Sequence, residues 1–284
     1  MQFLKLRKPL TALLLSAAIG TASAQSPGFD PPEGFKDDVP EKETKTGHIL
    51  YLKTYYSGCV TKDNENKDVV IPDCAKFKDV KSLTIDYKNP MNDLSWVKYF
   101  IKLEKLTVRW NYVKTLPDTF PATLKTIDLY SNSISVNEAS PLKYLPSGLE
   151  SLSLGNQSVV QAETVIPPLP SNLKYLELTA SNIASLPDSL PSGLTTLWLG
   201  SNKIQFANTA LANSNVKILN LSYNKLTTLI LPSSVTNLYL NNNALESIQV
   251  NTTIDSLKEL NVSNNNLANL PTLPPLSYFF KCRE

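Results

Sequence analysis

Hydrophobic residues along this chain recur in the frame LxxLxLxxNxL, in which the x positions are mostly polar. In one copy Leu197 and Leu199 are two residues apart, so an extended strand places both on one face and Trp198 on the other. Asn202 follows where the chain leaves the strand, and its carboxamide can pair backbone groups that a bend leaves unsatisfied. The frame therefore predicts a short strand followed by an asparagine-stabilised bend.

The frame occurs nine times at intervals of 19 to 25 residues, which indicates an internal repeat array. The copies begin at Val80, Leu103, Leu124, Leu149, Leu173, Leu194, Val216, Val235 and Leu257. Asparagine occupies the ninth position in six of them, at Asn111, Asn132, Asn202, Asn224, Asn243 and Asn265. We expect these six side chains to be structural, because buried polar groups normally serve to satisfy the backbone. Lys88, Gln157 and Ser181 take the position in the other copies, where we expect different bonding.

This repeat resembles the leucine-rich repeat family, and the resemblance covers about two thirds of the chain. It implies an α/β solenoid of horseshoe shape, with short parallel strands on the concave face. Copies such as LPDSLPSGLTTLWLGSNKI also resemble proline-rich repeats of secreted proteins and receptors of eukaryotic microbes, and of some bacterial effectors. The ectodomain of a repeat-containing receptor kinase is therefore an alternative to a stand-alone secreted protein.

Leu-Pro steps predict that the convex segments are mostly extended, because proline lacks an amide hydrogen and pushes its predecessor toward extended geometry. These steps are Leu116-Pro117, Leu145-Pro146, Leu186-Pro187, Leu190-Pro191, Leu231-Pro232 and Leu270-Pro271. One exception is residues 92–101, where Leu94, Val97 and Ile101 recur at helical spacing and predict a short helix.

The first 24 residues have the pattern of a secretory signal peptide. Lys5, Arg7 and Lys8 precede an apolar run, and Ala22-Ser23-Ala24 supplies a small-residue cleavage site before Gln25. The apolar run is shorter than the roughly 20 residues that a membrane-spanning helix needs, and no spanning stretch follows it. We therefore expect a secreted, extracellular protein whose residues 25–47 form a flexible, disordered leader.

Residues 48–79 are predicted to form an N-terminal cap, because the end of a solenoid exposes a hydrophobic surface that must be covered. Cys59 and Cys74 lie in this segment, and in an exported protein we expect them to form a disulfide that stabilises the fold by about 3 kcal/mol. The repeats are expected over residues 80–272. Residues 273–284 are expected to be a short or truncated C-terminal cap containing Cys282, whose state is open.

Charge and catalytic motifs narrow the classes of function. The chain has 27 Lys and Arg against 25 Asp and Glu, and loss of the three basic residues in 1–24 leaves 24 against 25, a net charge of −1. This balance gives no support for nucleic acid as a partner. There is one histidine and no HExxH motif, glycine-rich phosphate loop or Cys/His cluster, so we expect no enzyme, metal or cofactor. Carboxylates such as Asp128 and Glu177 are scattered and select no catalytic pair.

The outward strand positions carry large aromatic residues and an arginine, which are the residue types that dominate protein interfaces. The predicted contact residues are Tyr87, Arg109, Trp110, Tyr130, Tyr175, Trp198, Tyr223 and Tyr239. We expect a protein ligand on the concave face, with Trp110 and Trp198 as leading contacts, and a wall or surface polysaccharide as the alternative. Aromatic residues also have high strand propensity, so a purely structural role is the competing interpretation.

Four Asn-x-Ser/Thr motifs make the exported chain a candidate glycoprotein, at Asn156, Asn220, Asn251 and Asn261. Asn220 and Asn261 occupy the fifth frame position, so glycans there would shield the C-terminal half of the concave face. This predicts that binding is concentrated between Tyr87 and Trp198. Chance occurrence of such short motifs in an asparagine-rich repeat is the alternative.

Overall fold

Nine parallel strands, one from each copy of the frame, form a single sheet in the computed structural model. The structure describes residues 41–135, 144–157, 164–166, 168–207, 209–250 and 254–269. The order of the nine strands in the sheet follows their order in the chain, so each turn of the solenoid contacts the next. The predicted α/β solenoid with short parallel strands is confirmed. The predicted signal peptide, the predicted C-terminal cap with Cys282, and Asn251 lie outside the described residues.

The strands are two to four residues long. In chain order they are β1 (Val60–Lys62), β2 (Asp68–Val70), β3 (Ser82–Ile85), β4 (Lys105–Val108), β5 (Thr126–Asp128), β6 (Ser151–Ser153), β7 (Thr164–Val165), β8 (Tyr175–Glu177), β9 (Ile183–Ser185), β10 (Thr196–Trp198), β11 (Ile218–Asn220), β12 (Thr228–Leu231), β13 (Asn237–Tyr239), β14 (Ser247–Val250) and β15 (Glu259–Asn261). The nine-stranded sheet comprises β3, β4, β5, β6, β8, β10, β11, β13 and β15, whereas β7 pairs with β9 and β12 with β14 on the convex side.

The N-terminal cap consists of helix α1 (Glu41–Tyr55), the antiparallel pair β1–β2 and a 3₁₀ helix at Ala75–Phe77. Helix α1 begins inside the predicted leader, so the expected boundary at residue 47 is wrong. Burial of Tyr51 and Leu52 anchors the helix, and propagation from an anchored turn toward Glu41 has a low free-energy cost. Gly47 permits this packing, since a Cβ atom there would clash with the carbonyl oxygen of Pro90 in the first repeat.

Aromatic rings join the cap to the first turn, and one disulfide lies within the cap. Cys59 and Cys74 form a disulfide with a Cα–Cα distance of 5.4 Å. The rings of Phe77 and Phe100 have centroids 4.5 Å apart, and Trp96 packs on Phe100 at 5.6 Å. All three rings are buried, so the end of the hydrophobic core is covered by aromatic residues.

The core of the solenoid is a stack of aliphatic side chains from the inward frame positions. In the sixth turn Leu194, Leu197, Leu199 and Ile204 are fully buried, as the frame predicts. Each such side chain contributes about 1.5–3 kcal/mol on burial. Because these contacts lie between successive turns, the turns stabilise one another in sequence.

Asparagine carboxamides complete the inside of each bend. Nδ2 of Asn202 donates to the carbonyl oxygens of Leu178, Leu199 and Gly200 at 2.9, 3.0 and 3.2 Å. Oδ1 of Asn202 accepts from the backbone N–H of Ile183 at 3.0 Å. One side chain therefore pairs backbone groups on two successive turns.

Gln157 forms the same set of bonds as these asparagines, so the expectation of different bonding there is wrong. Its Nε2 donates to the carbonyl oxygens of Leu129, Leu154 and Gly155, and its Oε1 accepts from the N–H of Ile134 at 2.9 Å. The amide group is the essential feature at this position, and the side chain can be one methylene longer.

Two convex segments contain helical turns. The predicted helix at residues 92–101 is a 3₁₀ helix at Ser95–Tyr99, in which Phe100 N–H bonds to the carbonyl oxygen of Val97. The segment before the seventh turn contains a four-residue helix, α2 (Thr209–Ala212), which buries Leu211. We did not predict α2, although its alanines and the lack of a Leu-Pro step favour a helix there. Within the described residues no helix has the length and apolar character to cross a membrane.

The hydrogen bonds of the ninth-position asparagines lead to a prediction about stability. Asn202→Ala should lower the free energy of unfolding by about 3 kcal/mol, because it leaves buried donors and acceptors on two turns without partners. Asn266→Ala, at an exposed asparagine of the last described turn, should change it by about 0.5 kcal/mol or less. Urea unfolding of both variants checks this, and equal losses would contradict a special role for Asn202.

Candidate functional site

The concave face presents the third, fifth and seventh frame positions of every turn, because side chains alternate along a strand. Neighbouring turns are in register, so that Trp198 lies beside Asn220 and Asn220 beside Tyr239. The fifth-position residues thus form a continuous column across the sheet. The predicted contact residues occupy these positions or the adjacent eighth position, and most of them fall into two groups.

The first group, which we call the N-terminal patch, consists of Arg109, Trp110, Asp128, Tyr130 and Tyr175. Arg109 and Asp128 form an ion pair, with Nη2 of the guanidinium 2.6 Å from Oδ2 of the carboxylate. The rings of Trp110 and Tyr130 pack edge to face with centroids 5.7 Å apart. Tyr130 is only 4% exposed, so it supports Trp110 more than it offers a contact of its own. Burial raises the pKa of the Tyr175 phenol, and the Glu177 and Asp128 carboxyls raise it further.

Trp110 has an unusual backbone conformation. The eighth frame position is left-handed in eight of the nine turns, with φ between 51° and 58°. Six of these turns have a small or polar residue there, namely Ser131, Asn156, Ala180, Ser201, Asn242 and Asn264. Trp110 at φ 51° and Tyr223 at φ 54° are the two exceptions. Bulky side chains are disfavoured in this region and asparagine is favoured, so both turns carry more strain than the turns that have asparagine there.

Glu177 is fully buried although it occupies an outward position. Its Oε2 accepts hydrogen bonds from Ser153 Oγ at 2.7 Å and Gly155 N–H at 3.0 Å, and its Oε1 accepts from Thr179 N–H at 2.9 Å. A Cβ atom at position 155 would lie 2.2 Å from Oε1, so the carboxyl can take this place only because residue 155 is glycine. Burial raises the pKa of Glu177, while the hydrogen bonds from Ser153, Thr179 and Gly155 lower it.

The buried state of Glu177 was not predicted from the sequence. The signal that could have found it is the pairing of a glutamate at the fifth position with Gly155 at the seventh position of the preceding turn. Gly200 has a similar relation to Asn220, because a Cβ atom there would lie 3.3 Å from the Asn220 Oδ1. Small residues at the seventh position therefore mark where a side chain of the next turn folds back onto the sheet.

The second group, which we call the C-terminal platform, consists of Trp198, Asn237, Tyr239 and Glu259. The rings of Trp198 and Tyr239 are within 24° of parallel and have centroids 5.9 Å apart, although one strand lies between them. Tyr239 Oη donates to Glu259 Oε2 at 2.7 Å, and Asn237 Nδ2 donates to the same oxygen at 2.8 Å. Burial and the hydrogen bond to Glu259 raise the pKa of Tyr239 to about 12.

The remaining predicted contacts lie in other turns. Tyr87 belongs to the first turn, where Lys88 Nζ lies 6.0 Å from the centre of its ring. Tyr223 belongs to the seventh turn and is 36% exposed. The structure thus brings together two sets of predicted residues and leaves two aromatic residues apart from them along the chain.

The glycosylation motifs differ in accessibility. Asn220 is 4% exposed, and its Oδ1 accepts from the N–H and the Oγ of Ser222 at 2.9 and 2.6 Å. The folded chain therefore does not present Asn220 for modification, which corrects the expectation at that position. Asn156 and Asn261 are half-buried, with Asn156 Nδ2 donating to Ser131 Oγ at 3.0 Å.

The fold and these surfaces define a parallel-strand repeat solenoid. The Leucine Rich Repeat family model matches residues 215–238 and 256–280. YopM from Yersinia enterocolitica is 30% identical with a TM-score of 0.56, over 68% of this chain and 39% of YopM. InlP from Listeria monocytogenes is 21% identical with a TM-score of 0.55, over 81% of this chain and 66% of InlP. No curated protein sequence matches.

Two segments of the chain match the Leucine Rich Repeat model, and its nine-stranded parallel sheet is a solenoid of the leucine-rich repeat type. It spans about two fifths of the length of YopM, so it shares the repeat architecture and not the whole of that protein. Leucine-rich repeat proteins are typically protein interaction modules. Among the described residues, no group of three or more His, Cys, Asp or Glu side chains could hold a metal ion.

Glu177 leads to a prediction about pH. Its folded pKa is raised above the usual 4.5, so its contribution to stability is present below that value and is lost as the pH rises through the folded pKa. The difference in unfolding free energy between wild type and Glu177→Gln should therefore shrink as the pH rises above the usual pKa of a glutamate.

Glu150 provides a control of opposite sign. Lys174 Nζ, 2.7 Å from its carboxylate, lowers the pKa of Glu150, so this contribution is present above the usual pKa and is lost as the pH falls. The difference between wild type and Glu150→Gln should grow with pH in the same unfolding experiments. A Glu177 difference that also grew with pH would contradict the buried, proton-binding state of that carboxyl.

Proposed function

We propose that this chain is a secreted recognition module that binds a protein ligand through the N-terminal patch of its concave face. The observation that carries this proposal is Trp110, a large aromatic residue in a left-handed position that six other turns fill with serine, asparagine or alanine. Backbone strain of this kind costs about 1–3 kcal/mol and is concentrated at functional sites. The cost favours a role for the indole ring outside the solenoid itself.

The chemistry of the neighbouring residues supports a protein ligand. Trp, Tyr and Arg are the residue types enriched at binding hot spots, and the patch places Arg109, Trp110 and Tyr175 on nearby turns. Arg109 has a side chain that is 36% exposed while it pairs with Asp128, which holds the guanidinium in one orientation. A pre-oriented arginine beside an indole loses less conformational entropy on binding than two mobile side chains.

Export is supported by the pattern of residues 1–24 and by the Cys59–Cys74 disulfide. Disulfides form and persist in oxidising compartments and are rare in the cytosol. An extracellular location would expose the concave face to ligands outside the cell. The proposed ligand is therefore an extracellular protein.

The repeat itself supplies a variant that tests this without damaging the fold. Asparagine occupies the eighth position of the fourth, eighth and ninth turns, so Trp110→Asn introduces a residue that the left-handed position accepts. The loss of the Trp110–Tyr130 contact, about 0.5–1.5 kcal/mol, is offset by relief of left-handed strain of similar size. The thermal midpoint of this variant should therefore stay close to that of wild type.

Ligand binding by Trp110→Asn should be weakened although its thermal midpoint is unchanged. The immobilised chain from Gln25 onward should capture a protein from extracellular material, and Trp110→Asn should weaken capture at least tenfold, by about 1.4 kcal/mol or more. Ser201→Asn, at the same frame position of the sixth turn, should capture as well as wild type. Equal capture by Trp110→Asn would reject the proposal. Equal losses from Trp110→Ala and Tyr239→Ala would reject its restriction to the N-terminal patch.

A further inference from the structure

A pair of aromatic rings dominates the C-terminal half of the concave face. Trp198 and Tyr239 belong to the sixth and eighth turns, which are two strand spacings or about 9.6 Å apart. Their ring centroids are only 5.9 Å apart, so both side chains lean over Asn220 of the seventh turn. This arrangement explains why Asn220 is buried. The planes of the two rings are within 24° of parallel, so the rings form one stacked aromatic pair over Asn220.

Polar groups without internal partners surround this pair. Within the part of the chain that the structure describes, the Trp198 indole N–H makes no hydrogen bond and the Asn241 carboxamide makes none. Glu259 uses one carboxylate oxygen for both of its bonds, to Tyr239 and Asn237, which leaves its Oε1 able to accept another. The platform thus offers one donor, one amide that both donates and accepts, and one acceptor at the edges of the two rings.

The charge of this surface limits the class of ligand. At the third, fifth and seventh frame positions of the last four turns the side chains are almost all amides, hydroxyls or aromatic rings, and Glu259 is the one charged residue. Such a surface contrasts with the N-terminal patch, which carries the Arg109–Asp128 ion pair. A ligand that complements it is neutral, has many hydroxyl groups and has at least one flat apolar face.

We infer that the C-terminal platform binds a neutral oligosaccharide, with a pyranose ring packed against the Trp198–Tyr239 pair. The axial C–H groups of a pyranose are weakly positive and meet the negative face of an aromatic ring favourably. Sugar hydroxyls both donate and accept hydrogen bonds, as the Trp198 N–H, the Asn241 amide and the Glu259 carboxylate require. This site is separate from the proposed protein-binding patch and does not depend on it.

The test uses cellohexaose and chitohexaose as probes of the chain from Gln25 onward, labelled with ¹⁵N. The indole N–H signals of the three tryptophans can be assigned with Trp→Phe variants. The Trp198 signal should shift and saturate at millimolar concentrations of at least one probe, whereas the Trp96 and Trp110 signals should not move. Hexagalacturonate, an acidic comparison, should bind at least tenfold more weakly because Glu259 repels its carboxylates.

Variants separate this site from the protein-binding patch. Tyr239→Asn introduces a residue that the fifth position already holds at Asn220 and Asn261, and it should weaken oligosaccharide binding at least tenfold while the thermal midpoint stays near that of wild type. Trp110→Asn should leave the Trp198 response unchanged. The inference is overturned if neither neutral probe moves the Trp198 signal, if Tyr239→Asn responds like wild type, or if a captured protein covers Trp198.

Discussion

The fold depends on one requirement: each bend of the solenoid must satisfy its backbone groups without water. The amide at the ninth frame position meets this requirement by donating to carbonyl oxygens of two successive turns and accepting from an N–H of the earlier one, as Asn202 does. Because an unpaired buried group costs about 1–3 kcal/mol, the amide fixes where each turn must bend. Repeat length can then vary from 19 to 25 residues while the concave strands stay in register.

Because the strands are in a fixed register, each side chain on the concave face has defined neighbours on the adjacent strands. The environment of a fifth-position residue is consequently decided by the turns before and after it. Glu177 is buried because Gly155 leaves room for its carboxylate, and Asn220 is buried because Trp198 and Tyr239 lean over it. The same frame position can therefore hold a covered carboxyl in one turn and an aromatic contact in another.

The repeat frame alone was enough to predict the strands, the aliphatic core and the asparagine positions. It did not predict features that depend on neighbours in space. Helix α1 extends into a polar segment because Tyr51 and Leu52 anchor it. Gln157 replaces asparagine because its longer side chain still reaches the equivalent carbonyl groups. The N-terminal patch and the C-terminal platform were predicted as one surface. The frame gives the face of the sheet on which a side chain lies, but it does not give the conformation of that side chain.

Strand propensity was the competing explanation for the aromatic residues, and it applies unequally. Trp198 and Tyr239 lie within β10 and β13, where a preference of aromatic residues for strands contributes to their presence. Trp110 lies two residues beyond β4 with φ at 51°, and Tyr223 lies three residues beyond β11 with φ at 54°. A left-handed residue gains nothing from strand propensity, and its bulk is unfavourable there. For these two residues strand propensity therefore does not account for the aromatic ring.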